Sequence, residues 1–138
     1  MPEETVEVAL ESFRRFDPAD LEPFGRTLHP EAVMTAAEGW PETGPFIGRE
    51  ACVRQMGRLF DDWSDYRLAD IEVVEGRGDW VLIAWTLHAK GRASGLDVRL
   101  DVVASMRIED DQIKQAHYRW SADEAREAAG LASKSPDG

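Results

Sequence analysis

The sequence has one cysteine, few basic residues and no long hydrophobic run. Cys52 is the single cysteine, so no internal disulfide can form, and the expected compartment is the cytoplasm. The apolar runs are too short to cross a bilayer, and no signal-like segment opens the chain, so we predict no membrane partner. With 16 Lys and Arg against 27 Asp and Glu, the net charge is −11, which argues against a nucleic-acid partner.

The composition is that of a globular protein. Of the 138 residues, 43% are hydrophobic and 31% are charged, which is enough apolar material for a core. We predict one domain over residues 1–131, followed by a polar, flexible tail over residues 132–138.

Three consecutive strands dominate the second half of the chain. Every second residue is apolar from Val81 to Ala89 and again from Leu96 to Ile108, and Ile113 to Trp120 continues the pattern. This period of two predicts antiparallel strands with one buried and one solvated face. Matching the buried faces predicts four cross-strand pairs: Ala104 with Tyr118, Met106 with Ala116, Trp85 with Val102, and Leu87 with Leu100.

The first half of the chain is predicted to be mostly helical. Apolar residues at helical spacing predict a first helix over Glu3 to Phe16. Asp17-Pro18 is expected to start a second helix, which ends at His29-Pro30. The side chains of this helix that are expected to face inward are Leu21, Phe24 and Leu28. A short strand over Ala32 to Ala37 follows.

A loop and a third helix complete this half. The loop over Gly39 to Gly48 is expected to tuck Trp40 and Phe46 against the body. The third helix is predicted to begin at Gly48. Its apolar residues repeat at intervals of three and four positions, and the last of them is Trp63: Val53, Met56, Phe60 and Trp63.

Two further signals complete the predicted architecture. The strand over Tyr66 to Glu75 changes phase, which predicts a bulge near Ala69-Asp70 and strong curvature. Ser121 and Glu124 form a capping box for a last helix that stops at Gly130. The fold class is therefore predicted as α+β: a curved antiparallel sheet forms a cone-shaped cavity, and N-terminal helices cover it, as in a cystatin-like roll.

Three short motifs resemble those of a known family. They are LHPEAV at 28–33, GREA at 48–51 and EAREAAGL at 124–131. With the order of elements, they resemble a SnoaL-like protein of the nuclear transport factor 2-like superfamily, which also includes steroid delta-isomerases and limonene-epoxide hydrolases. The resemblance spans roughly residues 3–131 and implies the fold, while relatives include both enzymes and binding modules.

The catalytic residues of these relatives are absent here. The resemblance aligns the general base of steroid isomerases with Ala36, their protonated Asp with Ala104, and their helical Tyr near Ser12. Alanine can neither move a proton nor donate a hydrogen bond. The catalytic set of limonene-epoxide hydrolases also differs at all its positions: Leu87, Trp85, Tyr118, Met34 and Ala36.

Tyr118 is the one polar group expected to face the cavity from the sheet. It could donate a hydrogen bond to a ligand and act as a catalytic acid, or it could be a core tyrosine with a backbone partner. The tryptophans could form an aromatic box, with Trp85 the best candidate, or simply fill the core. The predicted ligand-binding set is: Phe13, Trp40, Met56, Trp63, Trp85, Leu87, Val102, Met106, Tyr118 and Trp120.

Other chemistry-bearing residues have simpler interpretations. His88 and His117 have outer-face parity and His29 lies in a turn, so we predict no metal site and no cofactor. Cys52 is interpreted as a buried structural thiol, and the loop carboxylates of Glu38 and Glu42 as solvated groups at the cavity mouth.

The outer face of the sheet predicts a homodimer. Arg99 and Asp101 are expected opposite His88 and Thr86 in a charge ladder, beside an apolar patch formed by Leu82, Ala84 and Val103.

Three functions remain open from the sequence. The first is binding of a small hydrophobic molecule that is polyketide-, terpenoid- or steroid-like. The second is an isomerase, cyclase or hydrolase that uses Tyr118. The third is a structural dimer module whose own tryptophans fill the cavity.

Overall fold

A computed structural model describes residues 3–17, 19–40, 42–61 and 63–131. The helices are α1 (Glu3–Arg15), α2 (Glu22–Gly25), α3 (Arg49–Phe60) and α4 (Ala122–Ala128). The strands are β1 (Leu28–Thr35), β2 (Phe46–Ile47), β3 (Trp63–Arg77), β4 (Trp80–Gly91), β5 (Asp97–Glu109) and β6 (Gln112–Arg119). No helix within these ranges is long and apolar enough to cross a membrane.

The fold is α+β, as predicted, with one curved sheet of six strands in the order β2-β1-β6-β5-β4-β3. Four neighbouring pairs are antiparallel, but β1 runs parallel to β6. This corrects the expectation of a purely antiparallel sheet. The parallel pair brings the N-terminal strand beside the last strand, which joins both halves of the chain.

The four predicted cross-strand pairs are confirmed. Ala104 pairs with Tyr118 and Met106 with Ala116 between β5 and β6, and the two predicted pairs of β4 with β5 are also present. The register of β3 against β4 shifts between Ala69 and Glu72, which is the predicted bulge. Two more shifts in the same strand increase its curvature.

The helical predictions hold in part. The first and third helices are confirmed, and the last begins with Ser121 Oγ accepting a hydrogen bond from the Glu124 amide at 3.2 Å. The second helix is wrong in extent: it is one turn from Glu22, and Leu28 already begins a strand. Before it, the Asp17 carboxylate accepts from the Ala19 amide at 2.9 Å, so Asp17 caps a turn instead of a helix.

Two tryptophans lie outside the helix or strand that was predicted to contain them. Trp63 is the first residue of β3, since α3 ends at Phe60, one turn before the spacing suggested. Trp120 follows the last residue of β6 and is 37% exposed. The predicted tail, residues 132–138, lies outside the described residues.

The two faces of the sheet are covered by different helices. Side chains from α1, α2 and α3 meet the inner face and form the main core with it. On the outer face, Glu75, Leu82, Ser105 and His117 form one row across four strands. Arg126 of α4 bonds to Glu75 at 2.7 Å, and α4 contacts β4, β5 and β6, so α4 lies over this row.

Candidate functional site

A small cavity lies between the inner face of the sheet and helices α1 to α3. The space open to water-sized molecules measures about 60 Å³. It is lined by fourteen residues, nearly all of them apolar: Ser12, Phe13, Phe16, Phe24, Trp40, Met56, Phe60, Trp63, Leu68, Trp85, Leu87, Val102, Met106 and Tyr118.

Alternate residues of the central strands point their side chains into this cavity. Trp85 and Leu87 on β4, and Val102 and Met106 on β5, occupy alternate positions of their strands and are all buried. Tyr118 reaches the same space from β6. The inner face is therefore built by the alternation that the sequence shows, because successive side chains of a strand point to opposite sides.

Aromatic rings hold one another in the cavity wall. Trp85 makes edge-to-face contacts with Phe13 and with Tyr118, at centroid distances of 4.8 and 5.8 Å. Trp40 stacks on Tyr118 at 6.1 Å. Such contacts fix ring positions and add to the stabilisation that burial gives.

The hydroxyl of Tyr118 is the main polar feature of the cavity. The side chain is 6% exposed, and its hydroxyl has no hydrogen-bond partner among the described residues. Burial raises the pKa of Tyr118, and the nearby Cys52 adds to the effect. The phenol therefore stays protonated at neutral pH, where it can donate a hydrogen bond but cannot act as a base.

Two other polar groups border the same space. The indole N–H of Trp40 is buried without a partner among the described residues. The Ser12 hydroxyl donates to the Ala9 carbonyl at 2.7 Å, so its proton is already used. None of the described lining residues is ionised at neutral pH, and the buried Ala36 and Ala104 supply neither base nor donor.

The structure brings most of the predicted ligand-binding residues together. Trp120 is the exception, because it lies beyond the end of β6, packs edge-on against Trp40 and donates its N–H to the Glu38 carbonyl at 2.8 Å. Nine predicted residues line the cavity, and their role in binding stays a prediction: Phe13, Trp40, Met56, Trp63, Trp85, Leu87, Val102, Met106 and Tyr118.

Five lining residues were not included in the predicted set. Phe24 and Phe60 carried a signal, since both lie at inward-facing helical positions. Phe16 lies just beyond the end of α1, Ser12 is a polar residue on its buried side, and Leu68 precedes the bulge of β3. Their approach to the cavity depends on how the helices dock, which periodicity does not specify.

Two of the three histidines lie on the outer face, as their parity predicts. His88 pairs with Arg99. His117 is buried, and its two ring nitrogens contact Thr35 Oγ1 at 2.7 Å and Gln115 Oε1 at 3.0 Å. Burial, and secondarily the Arg119 charge, lower the pKa of His117 to about 4, so the ring is neutral at physiological pH.

His29 lies near two carboxylates, those of Glu109 and Asp110. Its Nε2 is 3.9 Å from Glu109 and 3.8 Å from Asp110. However, Nδ1 accepts a hydrogen bond from the Glu31 amide at 3.0 Å. The proton of the neutral ring therefore sits on Nε2, the atom that a metal would need, and the group is better suited to pairing with the carboxylates.

The remaining candidates have structural roles. Cys52 is fully buried, its thiol points to the Ala32 and Phe46 carbonyls at 3.6 and 3.5 Å, and burial raises its pKa to about 11. Such a thiol is a poor nucleophile. Glu42 forms an ion pair with Arg58 of α3, which ties the loop to the helix.

Comparison with known proteins gives one family and many related folds. The model of the SnoaL-like domain matches residues 9–116. No curated protein matches the chain.

Three solved structures with this fold are 19–22% identical to the chain. An NTF2-like protein of unknown function from Burkholderia pseudomallei has 19% identity and a TM-score of 0.74, covering 91% of this chain and 97% of its own. TerC, crystallised with polyporic acid, has 22% identity, the same TM-score and the same coverage. A candidate polyketide cyclase from Xanthomonas campestris has 19% identity and a TM-score of 0.73, covering 88% and 93%. At these identities the likeness shows the fold.

Proposed function

The chain belongs to the SnoaL-like domain family, and we propose that it binds a small hydrophobic molecule in the cavity between its sheet and helices α1 to α3. The supporting observation is the lining itself: aromatic and aliphatic side chains surround one free hydroxyl, that of Tyr118. Small-molecule sites usually have this form, with few polar groups in an apolar wall. The ligand we propose is polyketide-, terpenoid- or steroid-like; one structural neighbour was crystallised with a small organic molecule, polyporic acid.

The size of the cavity sets a condition on this proposal. Its volume of about 60 Å³ exceeds the space of one water, but a cavity that holds a benzene ring measures roughly 150 Å³. Binding a ring system therefore requires the wall to widen. Met56 has the flexible side chain for this, and the half-buried Phe13 and Trp40 can move toward solvent.

Tryptophan fluorescence tests this function directly. A titration with steroid, terpenoid and polyketide ring compounds is expected to give a saturable change for one class, because Trp85 lies in the cavity wall. The change should disappear in Trp85→Leu. Trp80→Leu is the matched control, since Trp80 stacks on His117 outside the cavity lining. A folded protein that responds to no compound would contradict the proposal.

A second candidate function is catalysis by an isomerase, cyclase or hydrolase with Tyr118 as acid or hydrogen-bond donor. The observation that favours it is the protonated, unpartnered phenol. The described lining contains no base to accept a proton, which makes binding the better-supported function. Turnover that is abolished in Tyr118→Phe, with ligand affinity retained, would support catalysis.

A third candidate function is a structural dimer module with a filled cavity, which the small cavity volume favours. In either case we propose a homodimer formed through the outer sheet face. Leu82 does not contribute, because it is fully buried in the row beneath α4. Ala84 and Val103 pair with each other at half-buried positions beside the Thr86–Asp101 and His88–Arg99 pairs.

Light scattering coupled to size-exclusion chromatography tests the dimer. Val103→Asp would bury a carboxylate at the proposed contact and is expected to give a monomer. Glu127→Gln, on the exposed side of α4, should leave the mass unchanged. A monomeric wild-type protein would contradict this part of the proposal.

Residues 1–131 are proposed to form one domain, and the protein is proposed to act in the cytoplasm without a cofactor. The net charge of −11 supports the absence of a nucleic-acid partner.

A further inference from the structure

We propose that the cavity selects uncharged ligands that carry a hydrogen-bond acceptor, such as an aryl ketone, and that Tyr118 is the residue that recognises the acceptor. This inference rests on the proposed binding function and adds the chemical class of the ligand. It makes Tyr118 a specificity-determining residue, whatever the size of the hydrocarbon skeleton.

The position of the Tyr118 hydroxyl is fixed before a ligand arrives. The ring is held between Trp85, in edge-to-face contact, and Trp40, which stacks on it. Its backbone pairs with Ala104 inside the sheet. A donor that is already oriented loses little conformational freedom when it binds an acceptor.

This hydroxyl also makes no hydrogen bond within the described residues. Tyr118 is only 6% exposed, yet its hydroxyl is not one of the fully buried polar atoms without a partner. A ligand acceptor can therefore take the place of water at this donor without first breaking a hydrogen bond of the protein. The buried indole N–H of Trp40, which is also without a partner among the described residues, adds a second donor to the same wall.

The lining also disfavours ionised ligands. The lining residues that the structure describes include no Lys, Arg or His to pair with an anion. Moving a carboxylate from water into such surroundings without a partner is costly. The net charge of −11 on the whole chain adds long-range repulsion.

Two isosteric probes separate the acceptor from the hydrocarbon. Acetophenone and α-methylstyrene have nearly the same shape, with C=O in one and C=CH₂ in the other, and benzoate supplies the charged analogue. Dissociation constants come from ligand-detected NMR titration of the full chain. We expect Tyr118→Phe to weaken acetophenone binding about ten-fold while the affinity for α-methylstyrene changes less than about two-fold.

The chain offers a matched control, since Tyr66 is its other tyrosine. Tyr66 packs against Phe16 and Phe60 and is not part of the cavity lining, so Tyr66→Phe should leave both affinities unchanged. In wild type, benzoate should bind at least ten-fold more weakly than acetophenone. The carbonyl stretch of bound acetophenone should shift to lower frequency, and this shift should be absent in Tyr118→Phe.

The outcomes distinguish a wrong ligand class from a wrong binding function. If both neutral probes bind but Tyr118→Phe leaves their affinity ratio and the carbonyl stretch unchanged, the ligand class is wrong and the binding function stands. If benzoate binds as tightly as acetophenone, selection against charge is wrong. If no probe binds, the ligand class is wrong, and the fluorescence titration with the larger ring compounds decides separately whether the binding function stands.

Discussion

On the outer face of the sheet, polar side chains are bonded to one another, whereas the main polar group of the inner face has no partner. Outside, Arg126 bonds to Glu75 at 2.7 Å and Thr86 to Asp101 at 2.9 Å. Inside, the Tyr118 hydroxyl has no partner among the described residues. Ser105 is an outer-face exception, since its buried hydroxyl lacks a described partner.

This difference indicates what each face does. Buried polar groups that bond within the protein rigidify it and specify its docking. A donor that the protein itself leaves without a partner contributes less to stability than a paired one, and it is available to a ligand. The part of the outer face beneath α4 is therefore interpreted as structural support for that helix, and the inner face as the binding surface.

The largest expected effect comes from breaking the outer-face ion pair. Both side chains of the Arg126–Glu75 pair are only 10% exposed, so Glu75→Gln removes the buried one of the two carboxylates bound to the guanidinium and leaves only the exposed Asp123, at 2.9 Å. We expect the free energy of unfolding, measured by urea denaturation, to fall by about 3 kcal/mol.

Glu72→Gln is the control for this variant. Glu72 lies on the same strand and is exposed, so its replacement should change the free energy of unfolding by less than about 0.5 kcal/mol. Equal losses in the two variants would mean that the pair does not hold α4 on the sheet.

The second effect is a dependence of stability on pH through His117. Arg119 donates to Thr35 Oγ1 at 2.9 Å, and Gln115 Oε1 accepts from His117 Nε2, so Nδ1 accepts the Thr35 proton. Protonation would break this chain of hydrogen bonds. Burial, and secondarily the Arg119 charge, lower the pKa of His117 from 6.5 to about 4 in the folded protein.

The sign of this effect follows from proton binding. Between pH 6.5 and pH 4 the unfolded chain binds the His117 proton and the folded protein does not, so stability is complete above pH 6.5 and is lost as the pH falls. The loss from this one group between pH 7 and pH 5 should be about 2 kcal/mol. Urea denaturation at both pH values checks it, and His117→Gln should remove this part of the pH dependence. A His117 ring resonance that titrates near pH 6.5 by NMR would contradict the assignment.

Periodicity in the sequence predicted the inner face well. Alternation over β4 and β5 gave the register and the buried positions, because a one-residue slip would have exposed all of them. The same parity predicted that His117 faces outward. Its burial was not predictable, because the pair that holds α4 there joins Glu75 to a residue 51 positions later.

The errors arise where a local pattern continues past the end of an element. Trp63 fits the helical spacing of α3, and Trp120 fits the alternation of β6, but both elements end just before them. The parallel pairing of β1 with β6 is a long-range contact that neither strand's sequence encodes. The free hydroxyl of Tyr118 also required the structure, since a tyrosine in a strand pattern does not reveal its partners.

A smaller effect of opposite sign is expected on the inner face. Tyr118→Phe removes a buried hydroxyl that has no described partner and keeps the ring contacts with Trp85 and Trp40. The free energy of unfolding should therefore rise by about 1 kcal/mol. Tyr66→Phe serves as control and should stay within about 0.5 kcal/mol of wild type. Destabilisation by Tyr118→Phe would mean that the hydroxyl already has a partner, and the contrast between the faces would fail.

The smallest expected effect is the outer-face counterpart of that substitution. Thr86→Val keeps the shape of a buried side chain but removes the hydroxyl that donates to Asp101 at 2.9 Å. Since the Asp101 side chain is 71% exposed, water can replace the lost donor, and the free energy of unfolding should fall by only about 0.5 kcal/mol. Thermal and urea denaturation of Thr86→Val and Tyr118→Phe show whether the two changes in the free energy of unfolding have opposite signs. Removing a hydroxyl should lower the free energy of unfolding on the outer face, where the polar groups are paired, and raise it on the inner face, where the donor has no described partner. A higher free energy of unfolding for Thr86→Val would remove that distinction.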